Sequence, residues 1–372
     1  MEGMGKMIDF SFWKGKKVLI TGNTGFKGAW LSIWLSKLGA EIQGYALVPP
    51  TQPSIFSEAN LEARIPTTIG NILDAELFRK TLDECNPEIV FHMAAQPIVR
   101  QSYTDPVGTY MDNVIGTAQV LHTIRQSRSV KAVVVITTDK CYENKEWEWG
   151  YREIDTLGGY DPYSSSKACA ELVSSSFRSS FFNPKEYGHT HNVALATARA
   201  GNVIGGGDWA KDRLVPDIIR SIESKEMVLL RNPHATRPWQ HVLEPLYGYL
   251  LLAQKLYTKG PEFGEAWNFG PKDTDVKSVV WIVKHLMQLW GVKDGYTIDS
   301  NNHPHEAHVL KLDCSKSSSR LKWTPVWDVS NALQKIHEWY AAYAKRNDVF
   351  ETCISQIDNF EDYLHNTKSE AL

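Results

Sequence analysis

Between the apolar run Lys17-Val-Leu-Ile20 and the helically spaced stretch from Phe26 to Leu38 stands Thr21-Gly22-Asn23-Thr24-Gly25-Phe26-Lys27-Gly28, with glycines at G-x-x-G-x-x-G spacing. A strand that turns at once into a helix, with glycine at three fixed places, restricts the chain to a βα unit whose turn can lie against a bulky anion. Glycine permits the tight turn and the close backbone approach to a pyrophosphate, while the free N–H groups and dipole of the helix start hold the charge. The pattern predicts a dinucleotide here. An acid about twenty residues on usually grips the adenosine ribose; Ala46-Leu-Val-Pro49 offers none, and no arginine stands there for a 2′-phosphate. The segment does not separate NAD from NADP, and a loose hold on the ribose is expected.

The rhythm after this turn extends the unit. Apolar runs at 41–47, 88–91, 131–136 and 192–198 alternate with helical patterns at 74–85, 105–125 and 161–181, and Asp74 reads as an N-cap. Strands alternating with helices mean a parallel sheet. After Asn202 the rhythm breaks at Gly205-Gly-Gly-Asp-Trp209; helices are expected at 214–224, 244–257, 275–290 and 330–345, with strands at 228–230 and 266–269. The expected fold class is α/β, a Rossmann-type doubly wound parallel sheet with a second, smaller lobe. The expected boundaries are 14–202 for the dinucleotide domain, with 240–258 returning to it, 203–239 and 259–345 for the second lobe, and 346–372 for a mixed peripheral tail.

Composition removes several classes. Forty basic against forty-three acidic residues give a net charge of −3, too balanced to attract nucleic acid or an anionic membrane. Apolar runs such as Ala132–Ile136 and Leu250–Ala253 are far too short to span a bilayer. The first residues lack a secretory profile, and the five cysteines are widely spaced with no C-x-x-C pair. Neither a disulfide framework nor a zinc site is expected, and the expected location is the cytoplasm. Histidines 303, 305 and 308 lack companion ligands of suitable spacing, so no metal is expected. His92, on an apolar run, reads as a core histidine. Thirteen tryptophans are many, and a number of them stand outside what reads as core; Trp147 and Trp149 read as a loop over the site or a subunit contact.

The reactive candidates cluster in two places. Tyr163 and Lys167 lie four apart on one helix and project from the same face. Thr137-Thr138-Asp139-Lys140 ends the strand 131–136, and the carboxyl ends of parallel strands are where such sheets bind ligands. A cation near a tyrosine favours phenolate, so Tyr163 is expected to lose its proton more easily and serve as the base for hydride chemistry at an alcohol.

Together with His92-Met-Ala-Ala-Gln96 and Arg199-Ala-Gly-Asn202, these motifs resemble the extended short-chain dehydrogenase/reductase superfamily. More specific stretches are Thr137–Tyr142, Gly158–Tyr163, Asn202–Trp209, Arg237-Pro-Trp-Gln-His-Val242 and His303-Pro-His-Glu306. They resemble the CDP-glucose 4,6-dehydratases, from about residue 8 to the end. The resemblance implies tightly held NAD, CDP-glucose as substrate, and a homodimer or higher homo-oligomer pairing the helices near 105–125 and 161–181. It implies cofactor contacts from Gly22, Asn23, Gly25, Phe26, Gly28, Asn71, Ile72, Ala94, Asn113, Tyr163 and Lys167, and substrate contacts from Asn202, Arg213, Arg237 and Asn268. Thr138 would share the 4-hydroxyl hydrogen bond with Tyr163, Asp139 would be the acid, and Lys140 stands where related dTDP-glucose enzymes carry a carboxylate base. Lys140 takes a proton only as a neutral amine, so its alternative is to position substrate or balance charge. Asn23 stands where close relatives often have His. Two rivals share the motifs: a nucleotide-sugar 4-epimerase, which needs no acid/base pair after the threonine, and a non-catalytic NAD-binding regulator, which could dispense with Tyr163 or Lys167.

Overall fold

Strands covered on both faces must be apolar throughout rather than alternating, and Ile89–His92, Ala132–Ile136 and Ala194–Arg199 are buried at every residue. The computed structural model describes residues 9–293, 295–299 and 309–369. Its sheet contains β1 (Lys17–Thr21), β2 (Glu41–Ala46), β3 (Thr67–Ile69), β4 (Ile89–His92), β5 (Ala132–Ile136), β6 (Ala194–Arg199) and β7 (Ala266–Asn268). All pairings are parallel, in the order β7-β6-β5-β4-β1-β2-β3. The order reverses at β1, flanked by β2 and β4, and the crevice over such a switch point is where α/β sheets bind ligands. The expected doubly wound parallel sheet is what forms.

The longer helices are α1 (Phe26–Lys37), α2 (Ala75–Cys85), α3 (Pro106–Tyr110, a π turn at Met111–Ile115, then Gly116–Ile124), α4 (Pro162–Ser180), α5 (Leu214–Ser224), α6 (Leu243–Lys259), α7 (Val279–Leu289), α8 (Val329–Ala344) and α9 (Val349–Ser369). Their starts follow from side chains. Asp74 accepts from Leu77 N at 3.0 Å and Asp161 from Ser164 N at 2.9 Å, the latter with Pro162 at the first helical position. After β6 come short paired strands: Val203–Ile204 with Gln240–His241, Thr236–Pro238 with Val276–Ser278, and Val228–Leu230 with Tyr296–Ile298. No described helix is long and apolar enough to cross a membrane.

Three expectations give way, and one strand was not foreseen. Thr67–Ile69 forms the edge strand β3, too short and too threonine-rich to stand out. The helix expected from 275 starts at Val279, because Val276–Ser278 pairs with Thr236–Pro238 and Ser278 then caps it. The tail is not mixed: it is the helix α9, whose Cys353, Ile357, Phe360 and Leu364 are buried. It packs on α1, where Trp34 Nε1 donates to Glu361 Oε1 at 2.7 Å and Lys37 pairs with Asp358 and Glu361. The tryptophans are chiefly core, since Trp13, Trp30, Trp34, Trp267, Trp323 and Trp339 are fully buried. Residues 303–308, with their three histidines, lie outside the described residues.

Candidate active site

The turn after β1 is held from below. Thr21 Oγ1 accepts from Met93 N and Ala94 N, both at 3.1 Å, and so fastens the turns after β1 and β4 together. Gly22 has φ +76°, and a Cβ there would stand 2.8 Å from Ala94 N. Only glycine fits. Gly28 packs as closely, its missing Cβ 2.2 Å from the Gly22 carbonyl. Gly25 begins α1 with no side chain capping it, so the first N–H groups of the helix stay available. Gly22, Gly25, Phe26 and Gly28 line a cleft of about 860 Å³, as do Asn71, Ile72 and Ala94. An uncapped helix start over a glycine turn fits a dinucleotide's pyrophosphate. At the end of β2, Leu47 and Val48 line the same cleft 57% and 66% exposed, so an apolar wall stands where a ribose-gripping acid would.

Across the cleft stand the reactive candidates. Thr138 and Asp139 follow β5 directly, and the Thr138 hydroxyl donates to Asp139 Oδ1 at 2.9 Å. Thr138 also shares a hydrogen bond with the Tyr163 phenol. Asp139 lies against Gly201, whose missing Cβ leaves the room the carboxyl occupies. Burial raises the Asp139 pKa, opposed by Lys140, by the Thr138 hydrogen bond and by Arg237. Its Oδ2 is buried without a hydrogen-bond partner among the described residues. Such a carboxyl favours its neutral, proton-carrying form. Lys140 lines the cleft beside it.

The tyrosine does not behave as expected from its neighbour. Burial pushes the Tyr163 pKa up to about 12 against the pull of the Thr138 hydrogen bond. Of the nearby charges, Asp139 and Asp161 also raise it and Arg213 lowers it, while Lys167 Nζ donates to the Ile136 carbonyl at 2.9 Å. Lys167 is itself lowered to about 8 by burial, with Glu171 opposing. Tyr163 therefore favours its neutral phenol here.

The remaining expected residues divide. Asn202, in the left-handed region at φ +47°, lines the cleft with Arg213 and Arg237. Arg213 Nη1 donates to Asp208 Oδ2 at 2.8 Å, and Arg237 Nη1 to the Thr236 carbonyl at 2.9 Å. Three asparagines turn away. Asn23 Nδ2 donates to Thr67 Oγ1 at 2.9 Å, with its side chain laid on Gly44 of β2. Asn113, inside the π turn of α3, accepts from Gln96 N at 2.8 Å and donates to Ser166 Oγ at 2.8 Å. Asn268 is fully buried, accepting from the Tyr142 phenol at 2.8 Å and donating to the Tyr151 and Asp313 carbonyls. None of the three lines the cleft, so each braces its walls instead. His92 is the satisfied core histidine expected, bonded to Thr21 Oγ1 at 2.8 Å and Thr117 Oγ1 at 3.1 Å. Trp147 stacks on Tyr151 and Trp149 is exposed; neither lines the cleft.

Lys27 escaped the reading of the sequence. It enters the cleft from the second position of α1, 3.4 Å from the Tyr249 hydroxyl. Burial, then Lys167 and Arg213, lower its pKa to about 7, with Asp139 opposing. Its only signal was a lysine standing inside the glycine motif. Arg231 and Arg100 were also missed: both line the cleft and converge on Asp212, at 2.9 and 3.6 Å.

The sheet order, the glycine turn and the Thr138–Tyr163–Lys167 cluster define the extended short-chain dehydrogenase/reductase class. The chain belongs to the GDP-mannose 4,6 dehydratase family, whose pattern matches residues 19–336. It is 55% identical to the CDP-glucose 4,6-dehydratase of Salmonella typhimurium over 95% of this chain and 98% of that one. A dTDP-glucose 4,6-dehydratase of Xanthomonas campestris is 22% identical, over 73% of this chain and 77% of that one. Among solved structures, the dTDP-glucose 4,6-dehydratase from Streptomyces venezuelae with NAD and TYD bound superposes with a TM-score of 0.76 at 20% identity, covering 90% of this chain and 99% of that one. The UDP-glucose 4-epimerase of Thermotoga maritima gives 0.74 at 19% identity, covering 88% and 99%, so the fold alone does not choose between the two reactions.

Proposed function

We propose that this chain is a hydro-lyase converting CDP-glucose to CDP-4-dehydro-6-deoxyglucose and water, with NAD as its hydride carrier. One observation carries the choice of reaction: Asp139, buried and with its pKa raised by that burial, sits between Thr138 and Lys140 on the wall that bears Tyr163, supplying an acid that epimerisation does not use. The likeness to the Salmonella enzyme supports cytosine as the base. Gly22, Gly25 and the start of α1 would hold NAD, which would supply a reversible hydride acceptor for the chemistry at C4 and C6. Tyr163 accepts the 4-hydroxyl proton, held in line by Thr138, and the 4-ketone acidifies the C5 hydrogen. Lys140 removes that proton while Asp139 protonates the departing C6 hydroxyl, which leaves as water. C5 then regains a proton from solvent. Arg213 and Arg237 offer planar donors to the diphosphate, and Asp208 holds Arg213 in place until then.

In deuterated water, the product should carry solvent deuterium at C5 and the original C4 hydrogen at C6. A 4-epimerase returns hydride to C4 without exchange at C5, so a product free of C5 label would sink this reading.

We also propose that two copies pair through α3 and α4. Val107 is 71% exposed and Leu172 57%, with Met111, Ile115 and Phe181 also open, an apolar face on the helices that the resemblance assigns to pairing. Sedimentation of a monomer at micromolar protein would count against it. The unpaired cysteines fit a reducing cytoplasm, where we place the chain, supplying a ketosugar for deoxysugar synthesis.

A further inference from the structure

Helix α4 presents Tyr163, Lys167 and Glu171 at four-residue spacing, so all three face one side. Three consecutive residues at the end of β5 receive them. Thr138 bonds the Tyr163 phenol, the Ile136 carbonyl accepts from Lys167 Nζ at 2.9 Å, and Thr137 Oγ1 donates to Glu171 Oε1 at 2.5 Å. Glu171 Oε2 accepts in turn from Thr197 Oγ1 at 2.7 Å and Arg199 Nη2 at 2.8 Å, both on β6. Arg199 Nη1 donates to the Tyr142 phenol at 2.7 Å. Glu171 and Arg199 are each 3% exposed, and no step above uses them. A buried ion pair contributes little net stability over a well-packed apolar pair, so its presence behind the reacting residues calls for another reason.

We propose that Glu171, backed by Arg199, is a positioning residue for the C4 oxidation: it locks α4 onto β5 so that Tyr163 meets Thr138 and Lys167 stays on the Ile136 carbonyl. The proposal rests on the oxidation assigned above, a step that the epimerase reading shares. Burial alone would raise Glu171, but Arg199 and the hydrogen bonds from Arg199, Thr137 and Thr197 outweigh it and hold the carboxylate ionised. Lys167 also faces Tyr163 on its own helix, Cys141 after β5, His92 on β4 and Lys27 on α1. Among these Glu171 is the strongest influence holding its proton on, against the burial that lowers it to about 8. Without that anion the pKa falls further, and the ammonium is lost at lower pH.

The test is Glu171→Gln in the full chain, with NAD and CDP-glucose, following NADH formation in a single turnover from mildly acidic to mildly alkaline buffer. The alkaline limb of that rate should move to lower pH, slowing the step about tenfold at the alkaline end, with KM for CDP-glucose unchanged. Glu171→Asp should bring the limb back. A rate that falls by one factor at every pH, or a raised KM at constant kcat, would show a merely structural role and overturn the proposal. If the Gln variant does not melt cooperatively, Glu171→Gln with Arg199→Met removes both buried charges, and the same shift is expected. Failure of the dehydratase reading would show separately, as absent C5 deuterium in the unsubstituted enzyme.

Discussion

Replacing Tyr163 with Phe should lower turnover by about two to four decades, the usual worth of a positioned acid or base, and NADH formation should slow by the same factor. In the proposed reaction the phenol takes the 4-hydroxyl proton, and its hydroxyl bonds Thr138. Phenylalanine keeps the ring and loses only that bond, worth about 1 kcal/mol, so the variant should fold and bind both ligands. Because burial holds Tyr163 up at about 12, the unliganded protein carries phenol throughout the neutral range. Rapid mixing with CDP-glucose, read at the NADH absorbance, checks the outcome. A Phe variant that still forms NADH at the normal rate would show that another group takes the proton.

The elements that position this site were legible wherever one residue type has one physical use. The glycine turn was legible because a Cβ at Gly22 or Gly28 would strike backbone. Helix α4 was legible from the helical pattern over 161–181 and from Tyr163 and Lys167 on one face. Where a side chain has several uses, residue type said little. Asn23, Asn113 and Asn268 were expected at the cleft, yet each spends its amide on a neighbouring strand, loop or helix. An asparagine's partner is decided by what lies across the fold, which no local pattern records. The same holds for Lys27, whose pKa near 7 comes from burial and from Lys167 and Arg213, residues far away in sequence. Helix α9 did carry a signal, since Cys353, Ile357, Phe360 and Leu364 recur at helical spacing. That apolar stripe is narrow and its flanks are charged, so the segment reads as solvent-facing until α1 is seen to need a cover.

Lys140→Met should separate the two halves of the reaction. Methionine keeps much of the apolar stem and removes the amine, while Thr138, Tyr163 and Lys167 stay as they are. Oxidation at C4 should therefore proceed, and the enzyme should stall holding NADH and the 4-ketosugar. Overall turnover should fall by about two to four decades, the same range as Tyr163→Phe but with the opposite reading at the NADH absorbance. Asp139 sharpens the comparison. Removing the lysine takes away the main influence opposing burial at Asp139, so that carboxyl is pushed further up and its neutral form is favoured more. A stalled Lys140→Met enzyme therefore cannot be blamed on a lost acid, and the missing function is removal of the C5 proton. Deuterium from solvent should accordingly be absent from C5 in the bound ketosugar. Turnover at the unsubstituted rate would make the lysine a bystander. A variant that forms no NADH would assign Lys140 to binding or to the first oxidation, and the C5 base would then be sought at Lys27, the other amine that opens into the cleft.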